Sequence, residues 1–341
     1  MTLLALETSC DETSAAVVRN GAVLANVVSS QIKMHEEYGG VVPELAAREH
    51  LRNLIPVVNA ALAEAGVSMA QLDAIAATQG PGLPGALMIG FKAAQAAAFA
   101  LEKPFFGIHH HEAHLYSPWI SGAPPRADFA AFQPNVSLIV SGGHTMLVLV
   151  AAELKHRVLG ETVDDAAGEC FDKTGKLIGL PYPAGPVIDR LAEHGNAKAY
   201  DFPRPLLHTD SDDFSFSGLK TSVRYFVRDH PDILADDQQN RDLCASVQAA
   251  IVDVLVAKTI RAAKRSRVRC VTASGGVICN RSLRSELAKA CAQAGMTLRL
   301  TEKTFSTDNA AMIGILAERK LLRQTAPTSC EAEIALNWTL D

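Results

Sequence analysis

Several marks of well-known protein classes are missing from this chain. Its 341 residues include seven cysteines but no CxxC pair, and this odd, scattered set predicts reduced thiols rather than a disulfide framework. No GxxxxGK[ST] sequence occurs, which excludes a P-loop nucleotide-binding protein. The opening residues, MTLLALETSCDE, have no basic region and soon reach acids, so we predict no secretory signal peptide.

The net charge and the length of the apolar runs exclude further classes of protein. The formal net charge is −5, so this is no generally basic nucleic-acid binder, and RNA contact would need a local patch or a partner's charge. The best local patch is the basic run at residues 261–269, although a solvated helix end explains it equally well. Apolar runs such as residues 94–101 are too short to span a bilayer. We therefore expect a soluble, cytoplasmic protein that does not bind membranes.

The residues that are present favour large folded domains. Hydrophobic residues make up 48% of the chain and charged residues 20%, enough for buried cores in roughly two domains. Asn20-Gly21 between two β-rich runs predicts a hairpin, and a helical pattern at residues 43–65 ends at Gly66. Residues 238–265 have the pattern of a long amphipathic helix. We interpret the aromatic, proline-bearing residues 196–221 as a surface excursion.

The order of elements repeats and predicts the fold class. A three-strand antiparallel opening is followed by helix, strand, helix and strand, and the same programme begins again near residue 136. This order predicts an α/β protein with the actin-like (ASKHA) fold, in which two similar α/β domains face each other across a nucleotide-binding cleft. We assign residues 1–110 and about 310–341 to the N-terminal domain and residues 111–309 to the C-terminal domain.

Two histidines and a distant aspartate form a candidate metal site. His110 and His114 lie four residues apart, so on a helix their imidazoles share one face and can bind one divalent ion. Asp308 could complete a set of two histidines and one carboxylate with open positions for substrate. The alternative is that a histidine cluster after a strand is only a solvated helix start.

Two glycine turns form a candidate nucleotide site. The segments at 140–145 (VSGGHT) and 273–277 (ASGGV) each follow a β-rich run, and their backbone N–H groups could hold phosphate oxygens. Either turn alone could instead be a tight strand-to-helix connection. Asn280 follows the second turn and could cap a helix or contact a base. Asp172 could accept a hydrogen bond from a ligand.

Taken together, the motifs resemble one family closely over nearly the whole chain. They are residues 7–13 (ETSCDET), 35–44 (HEEYGGVVPE), 80–85 (GPGLPG), 110–114 (HHEAH), 141–145 (SGGHT), 171–173 (FDK), 214–221 (FSFSGLKT), 274–277 (SGGV) with Asn280, and 307–309 (TDN). The family is the bacterial form of the universal tRNA threonylcarbamoyladenosine transferases, once labelled O-sialoglycoprotein endopeptidases. The chain departs from its usual pattern at Ala113 and Ala184, where the family has glycine, and it carries extra histidines at His109 and His111.

The resemblance implies an activity and a set of residues. The activity is transfer of threonylcarbamoyl from threonylcarbamoyl-AMP to the exocyclic amine of adenosine 37 in tRNAs that read ANN codons, with release of AMP. The implied metal ligands are His110, His114 and Asp308, for one divalent ion per subunit, iron, with zinc as the alternative. The implied substrate contacts are Ile139, Val140, Ser141, Gly142, Gly143, Asp172, Gly185, Asp189 and Asn280. Implied partners are tRNA, a paralogous actin-like subunit and a small ATPase.

Two other functions are consistent with parts of the sequence. The family's old label suggests a zinc metallopeptidase, but that chemistry needs HExxH, and Glu112 would lie about 200° round the helix from His110. A non-catalytic actin-like ATP-binding scaffold would keep the glycine turns without needing the metal ligands. No general base is evident, and Glu12 is our candidate for a polar, substrate-facing catalytic role, with a plain turn acid as the alternative.

Overall fold

The computed structural model describes residues 1–340, and the chain forms two compact units. Unit 1 consists of Met1–Phe132 and the chain from Thr301 onward, and unit 2 is Gln133–Leu300. The units therefore divide near residues 132 and 300, whereas the expected domains divided near residues 110 and 309. The reason is that the histidine helix packs against the first sheet and Asp308 contacts the histidines of that helix.

The regular elements are numbered in chain order. The strands are β1 (Thr2–Glu7), β2 (Glu12–Arg19), β3 (Ala22–Ser30), β4 (Ala74–Gly80), β5 (Phe105–His109), β6 (Ile120–Ser121), β7 (Arg126–Ala127), β8 (Asn135–Val140), β9 (Thr145–Ala152), β10 (Lys155–Glu161), β11 (Cys270–Ser274) and β12 (Thr297–Leu300). The α-helices are α1 (Ile32–Glu36), α2 (Pro43–Ala65), α3 (Pro84–Ala100), α4 (His110–Tyr116), α5 (Ala167–Leu177), α6 (Ala184–Ala192), α7 (Ser217–Asp229), α8 (Asp237–Arg265), α9 (Arg281–Gln293) and α10 (Ala310–Leu322). Short 3₁₀ helices are Met69–Gln71, Ser117–Trp119, Pro231–Ala235, Gly276–Cys279 and Lys303–Phe305.

The sheet of unit 1 has the order β5-β4-β1-β2-β3-β7-β6. β1, β2 and β3 form an antiparallel meander, and the predicted hairpin joins β2 to β3 through Asn20 and Gly21, which adopt φ values of 50° and 77°. β1, β4 and β5 are parallel, so their carboxyl ends lie at one edge of the sheet. This edge carries Glu7 and His109, the last residues of β1 and β5.

The sheet of unit 2 repeats this topology in the order β10-β9-β8-β11-β12. β8, β9 and β10 are antiparallel, as β1, β2 and β3 are in unit 1, and β8, β11 and β12 are parallel, as β1, β4 and β5 are. The duplication expected from the order of elements is therefore confirmed. β8 and β11 are neighbours, so the two glycine turns that follow them emerge side by side.

Helix α8 lies in the core of unit 2 rather than on its surface. Residues 243–248 are all buried, which covers more than one full turn, so this part of the helix is not amphipathic as expected. By length and composition α8 could cross a membrane, but 72% of its most apolar window is buried inside the protein. A buried core helix explains both properties.

Of the predicted surface excursion at residues 196–221, residues 196–216 are irregular and mostly exposed or half-buried, whereas residues 217–221 begin helix α7. Phe202, Phe214 and Phe216 are buried in the core of unit 2. Arg261 donates hydrogen bonds to the carbonyls of Leu207 (3.1 Å) and Ser211 (2.9 Å), so helix α8 holds the segment through its backbone. Part of the basic run at residues 261–269 therefore has a structural use.

Candidate metal centre and nucleotide site

The histidine helix begins directly at the end of an edge strand. β5 ends at His109, whose Nδ1 accepts a hydrogen bond from the N–H of Glu112 (3.3 Å) and so caps α4. His110 and His114 lie on one face of this short helix with ring centroids 4.8 Å apart. Both are buried, so the histidines are not a solvated helix start.

Asp308 completes the group from a distant part of the chain. It precedes Asn309, which caps α10 by accepting the N–H of Met312 (3.3 Å) and donates to the carbonyl of Thr307 (2.8 Å). These bonds fix the turn that carries the aspartate. One Asp308 oxygen lies 3.4 Å from His110 Nε2 and 3.3 Å from His114 Nε2.

The three side chains fit one metal ion. Their candidate ligand atoms all lie within 4.8 Å of one another, and among the described residues this is the group of His, Cys, Asp and Glu side chains close enough to do so. Metal–nitrogen bonds of about 2.1 Å place neighbouring ligand atoms roughly 3 to 3.4 Å apart. The two histidine–aspartate distances match this spacing.

Glu7 orients the first histidine, a role that the sequence did not predict. Its carboxylate lies 3.0 Å from His110 Nδ1 and accepts a hydrogen bond from the Thr78 hydroxyl (2.6 Å). The carboxylate is fully buried and also accepts the N–H of Ser9. A carboxylate on the far nitrogen of a ligating histidine fixes its tautomer and ring orientation. The available signal was a charged residue at the end of the wholly buried strand β1.

The buried groups at this centre shift one another's pKa values. Burial disfavours a charged His110, but Asp308 and Glu7 outweigh it and raise the His110 pKa well above its usual value. Burial would raise the pKa of Asp308, yet the two histidines hold it well below its usual range. Burial lowers the pKa of His114. Two carboxylates thus face His110, and a metal ion bound at its Nε2 would displace any proton there.

Glu12 lies at the start of β2 in the same unit. It is buried, and its pKa is raised well above normal by burial first and then by the charge of Asp11 and Asp308. Its carboxylate accepts a long hydrogen bond from the Ser30 hydroxyl (3.4 Å). A buried carboxyl group with a raised pKa can exchange a proton more readily near neutral pH, and the catalytic role of Glu12 stays a prediction.

The two glycine turns of unit 2 adjoin each other. Ile139 and Val140 end β8, and Ser274 at the end of β11 pairs with Ile139. Gly275 has a φ of 94°, and a Cβ there would overlap the carbonyl of Val140, so only glycine permits this approach. Gly142 and Gly143 are exposed, and a Cβ on either would meet open space. Their backbone is therefore accessible to a ligand.

The Asp172 side chain caps helix α6, to which Gly185 belongs. Asp172 Oδ1 accepts the N–H groups of Ala184 (2.7 Å) and Gly185 (3.3 Å), the first two residues of α6. Burial raises the pKa of Asp172, and those two N–H groups oppose the increase. The carboxylate thus has a structural partner already.

Asn280 and Asp189 also have partners within unit 2. Asn280 caps α9 by accepting the N–H of Leu283 (2.9 Å), and its amide donates to Gln248 Oε1 (2.6 Å). Asp189 pairs with Arg281 at 2.8 Å. A cavity of about 300 Å³ lies beside them, lined by Asp189, Ala192, Glu193, Ala197, Ala245, Gln248, Ala249, Arg281 and Ser282. Of the two roles expected for Asn280, the structure shows the cap.

The repeated sheet topology and the buried histidine–aspartate group define an actin-like α/β protein with a candidate metal centre. Full-length HypF in a phosphate- and nucleotide-bound form is similar in fold, with 13% identity and a TM-score of 0.61 over 95% of this chain and 47% of that one. HypF from T. kodakarensis is similar too, with 16% identity and a TM-score of 0.62 over 93% of this chain and 48% of that one. These likenesses support the fold alone.

Sequence comparison identifies the family. A family model for tRNA N6-adenosine threonylcarbamoyltransferase matches residues 22–315. Proteins of that name are 50% identical in Prosthecochloris aestuarii, over 96% of this chain and 97% of the relative, and 48% identical in Methylibium petroleiphilum, over 100% and 98%. The chain belongs to the tRNA N6-adenosine threonylcarbamoyltransferase family. The resemblance found in the motifs is thus confirmed, together with the transferase class and the tRNA-modifying function.

The peptidase alternative is not favoured. The relatives from Prosthecochloris aestuarii and Methylibium petroleiphilum both carry the transferase name. In the structure Glu112 pairs with Lys320 on α10 at 2.7 Å, so it has a partner other than the candidate metal centre. A peptidase would need this carboxylate as a base beside the metal-bound water.

Proposed function

We propose that this chain transfers threonylcarbamoyl from threonylcarbamoyl-AMP to the exocyclic amine of adenosine 37 in tRNAs that read ANN codons. The observation that carries the proposal is the near-complete match to transferases at about half identity, joined to a buried His-His-Asp group. The amine nitrogen bonds to the carbamoyl carbon, the bond from that carbon to the phosphate oxygen breaks, and AMP leaves. The amine loses one proton.

The adenylate binds to unit 2 in this proposal. The backbone of Gly142 and Gly143 holds phosphate oxygens, because it is exposed at the end of β8 and beside the second glycine turn. The other proposed contacts are Ile139, Val140, Ser141, Asp172, Gly185, Asp189 and Asn280. Asp172 uses one oxygen as a helix cap, so its second oxygen would meet the ligand. Asn280 uses its oxygen as a cap and one amide N–H on Gln248, so its second amide N–H would do so.

The metal in unit 1 would be held by His110, His114 and Asp308. Two imidazoles and a carboxylate suit iron(II), with zinc as the alternative. When bound, such an ion supplies a Lewis acid that stabilises negative charge. Glu7 orients His110, and Glu12 is proposed to face the substrate and move a proton. We further propose a cytoplasmic location and assembly with a paralogous actin-like subunit and a small ATPase.

The test combines transfer with proteolysis. Purified protein would receive threonylcarbamoyl-AMP, unmodified tRNA and the partner subunits, and mass spectrometry would detect the modified adenosine. We expect product from the wild type, no cleavage of a glycoprotein substrate, and loss of both metal and product in Asp308→Ala. Glu331→Ala, which removes an exposed carboxylate from the same unit, is the matched control. Full product from metal-depleted Asp308→Ala would refute the metal's role.

A further inference from the structure

Residues 323–340, the described part of the chain after α10, have no regular secondary structure, yet this segment is bound along the outermost strand of the first sheet. We call residues 328–338 the C-terminal strap. Thr328 donates its N–H to the carbonyl of Phe105 (2.8 Å), and its hydroxyl accepts the N–H of Gly107 (2.8 Å). Both partners belong to β5, the outermost strand of the sheet. The strap therefore covers the open edge of this strand.

The strap next crosses the end of β4. Ala335 donates its N–H to the carbonyl of Gln79 (2.8 Å), and the Gln79 side chain donates to the carbonyl of Glu333 (2.7 Å). A Cβ on Gly80 would overlap the carbonyl of Ala335, so the two backbones are in close contact. These bonds hold the strap at the carboxyl ends of the parallel strands, where the candidate metal centre also lies.

The last residue of the strap, Trp338, contacts His109, the N-cap residue of the histidine helix α4. The Trp338 carbonyl lies 3.1 Å from His109 Nε2, and the Trp338 indole packs on the His109 ring with centroids 4.9 Å apart. His109 Nδ1 accepts the N–H of Glu112, so Nε2 carries the proton and donates it to the Trp338 carbonyl. Both nitrogens of this buried ring are thus used, one for the helix and one for the strap.

We propose that Trp338 and His109 are positioning residues for the metal centre. The orientation of the first turn of α4 decides where the imidazoles of His110 and His114 point, because both lie on that short helix. His109 fixes the turn as its cap, and Trp338 fixes His109. The extra histidine at 109 is therefore a link between the strap and the ligands rather than a competing ligand.

The inference rests on the proposed metal site, so the test measures metal binding instead of transfer. Chelator-treated full-length protein would be titrated with Co²⁺ against a competing chelator, with the visible spectrum reporting coordination. We expect His109→Ala, which removes the cap and the bond to the strap, to weaken Co²⁺ binding about tenfold or more. Trp338→Ala removes the indole but keeps the backbone carbonyl, so it should weaken binding by a smaller factor. Thermal unfolding in chelator should change little for Trp338→Ala, whereas His109→Ala also loses the cap of α4 and should unfold at a lower temperature. Asn337→Ala, exposed and adjacent in the strap, should bind as wild type does.

His109→Asn separates capping from the link to the strap. Asparagine is a good helix cap, so this variant folds even if Trp338→Ala does not. We expect it to bind Co²⁺ as weakly as His109→Ala, because the shorter side chain does not reach the strap. Wild-type affinity in His109→Asn or in Trp338→Ala would overturn the proposal. Failure of the wild type itself to bind Co²⁺ would refute the metal site instead.

Discussion

Asp172 joins a structural role to a proposed substrate role, and two substitutions can separate them. Its Oδ1 accepts the first two N–H groups of α6, at 2.7 and 3.3 Å, and the N-cap residue Pro183 provides no side-chain cap of its own. Asp172→Ala removes both bonds. Losing a helix cap costs about 0.5 to 2 kcal/mol, and for a domain of this size that lowers Tm by roughly 1 to 8 °C.

Asp172→Asn should behave differently because its amide oxygen can keep the cap. The two N–H donors hold that oxygen in place, so the amide nitrogen must occupy the second oxygen's position. We expect stability within about 0.5 kcal/mol of wild type. A charge-assisted bond to the ligand would be lost, which is worth about 1.5 to 3 kcal/mol or roughly ten- to a hundredfold in Kd.

The assay is calorimetry with AMP, paired with thermal unfolding. Glu169→Gln is the matched control, since Glu169 lies three residues away on α5 and pairs with Lys173 instead. Wild-type AMP affinity in Asp172→Asn would show that Asp172 only caps α6. Equal loss of stability in the Asn and Ala variants would refute the reasoning about the cap.

Two predictions concern other parts of the molecule. His50 is buried between Thr13 and the Cys10 carbonyl, and burial lowers its pKa, so stability should be full above pH 6.5 and fall as the pH drops toward the folded value. Urea unfolding would give the free energy of unfolding at pH 7.5 and at pH 5.5. The loss of free energy between these two pH values should be smaller in His50→Gln than in the wild type, and an equal loss would contradict this. tRNA binding should weaken with salt, and Lys264→Ala should reduce the slope of log affinity against log salt by about 1. An unaltered slope would mean that Lys264 contacts no phosphate.

Local patterns in the chain were enough to predict much of unit 1. The structure confirms the two-residue turn at Asn20-Gly21 and the helix end at Gly66. Both could be predicted because asparagine and glycine accept positive φ and because the backbone hydrogen bonds of turns and helix ends join residues close in sequence. The shared face of His110 and His114 follows in the same way from the helical period. These features depend on residues within one or two turns of each other.

Burial of polar and irregular segments was not predictable from composition. Residues 196–216 contain prolines and polar residues typical of a surface loop and are mostly exposed or half-buried, but three buried phenylalanines anchor the segment in the core of unit 2. The amphipathic pattern predicted that the polar residues of α8 would be exposed. Lys258 is instead fully buried, and it donates a hydrogen bond to the carbonyl of Ser211 (2.8 Å). Such burial depends on a distant backbone supplying the polar partners.

The sequence by itself determined the repeated order of strands, the glycine turns and the spacing of the two histidines, because each follows from the periodicity and turn preferences of contiguous residues. Only the tertiary structure decided that Glu7 lies behind His110, that β8 and β11 present their turns side by side, and that Trp338 contacts His109. The physical reason is the pairing of strands in a sheet. Parallel strands that are far apart in the chain have their carboxyl ends side by side, and the register and packing of the strands decide which residues meet there.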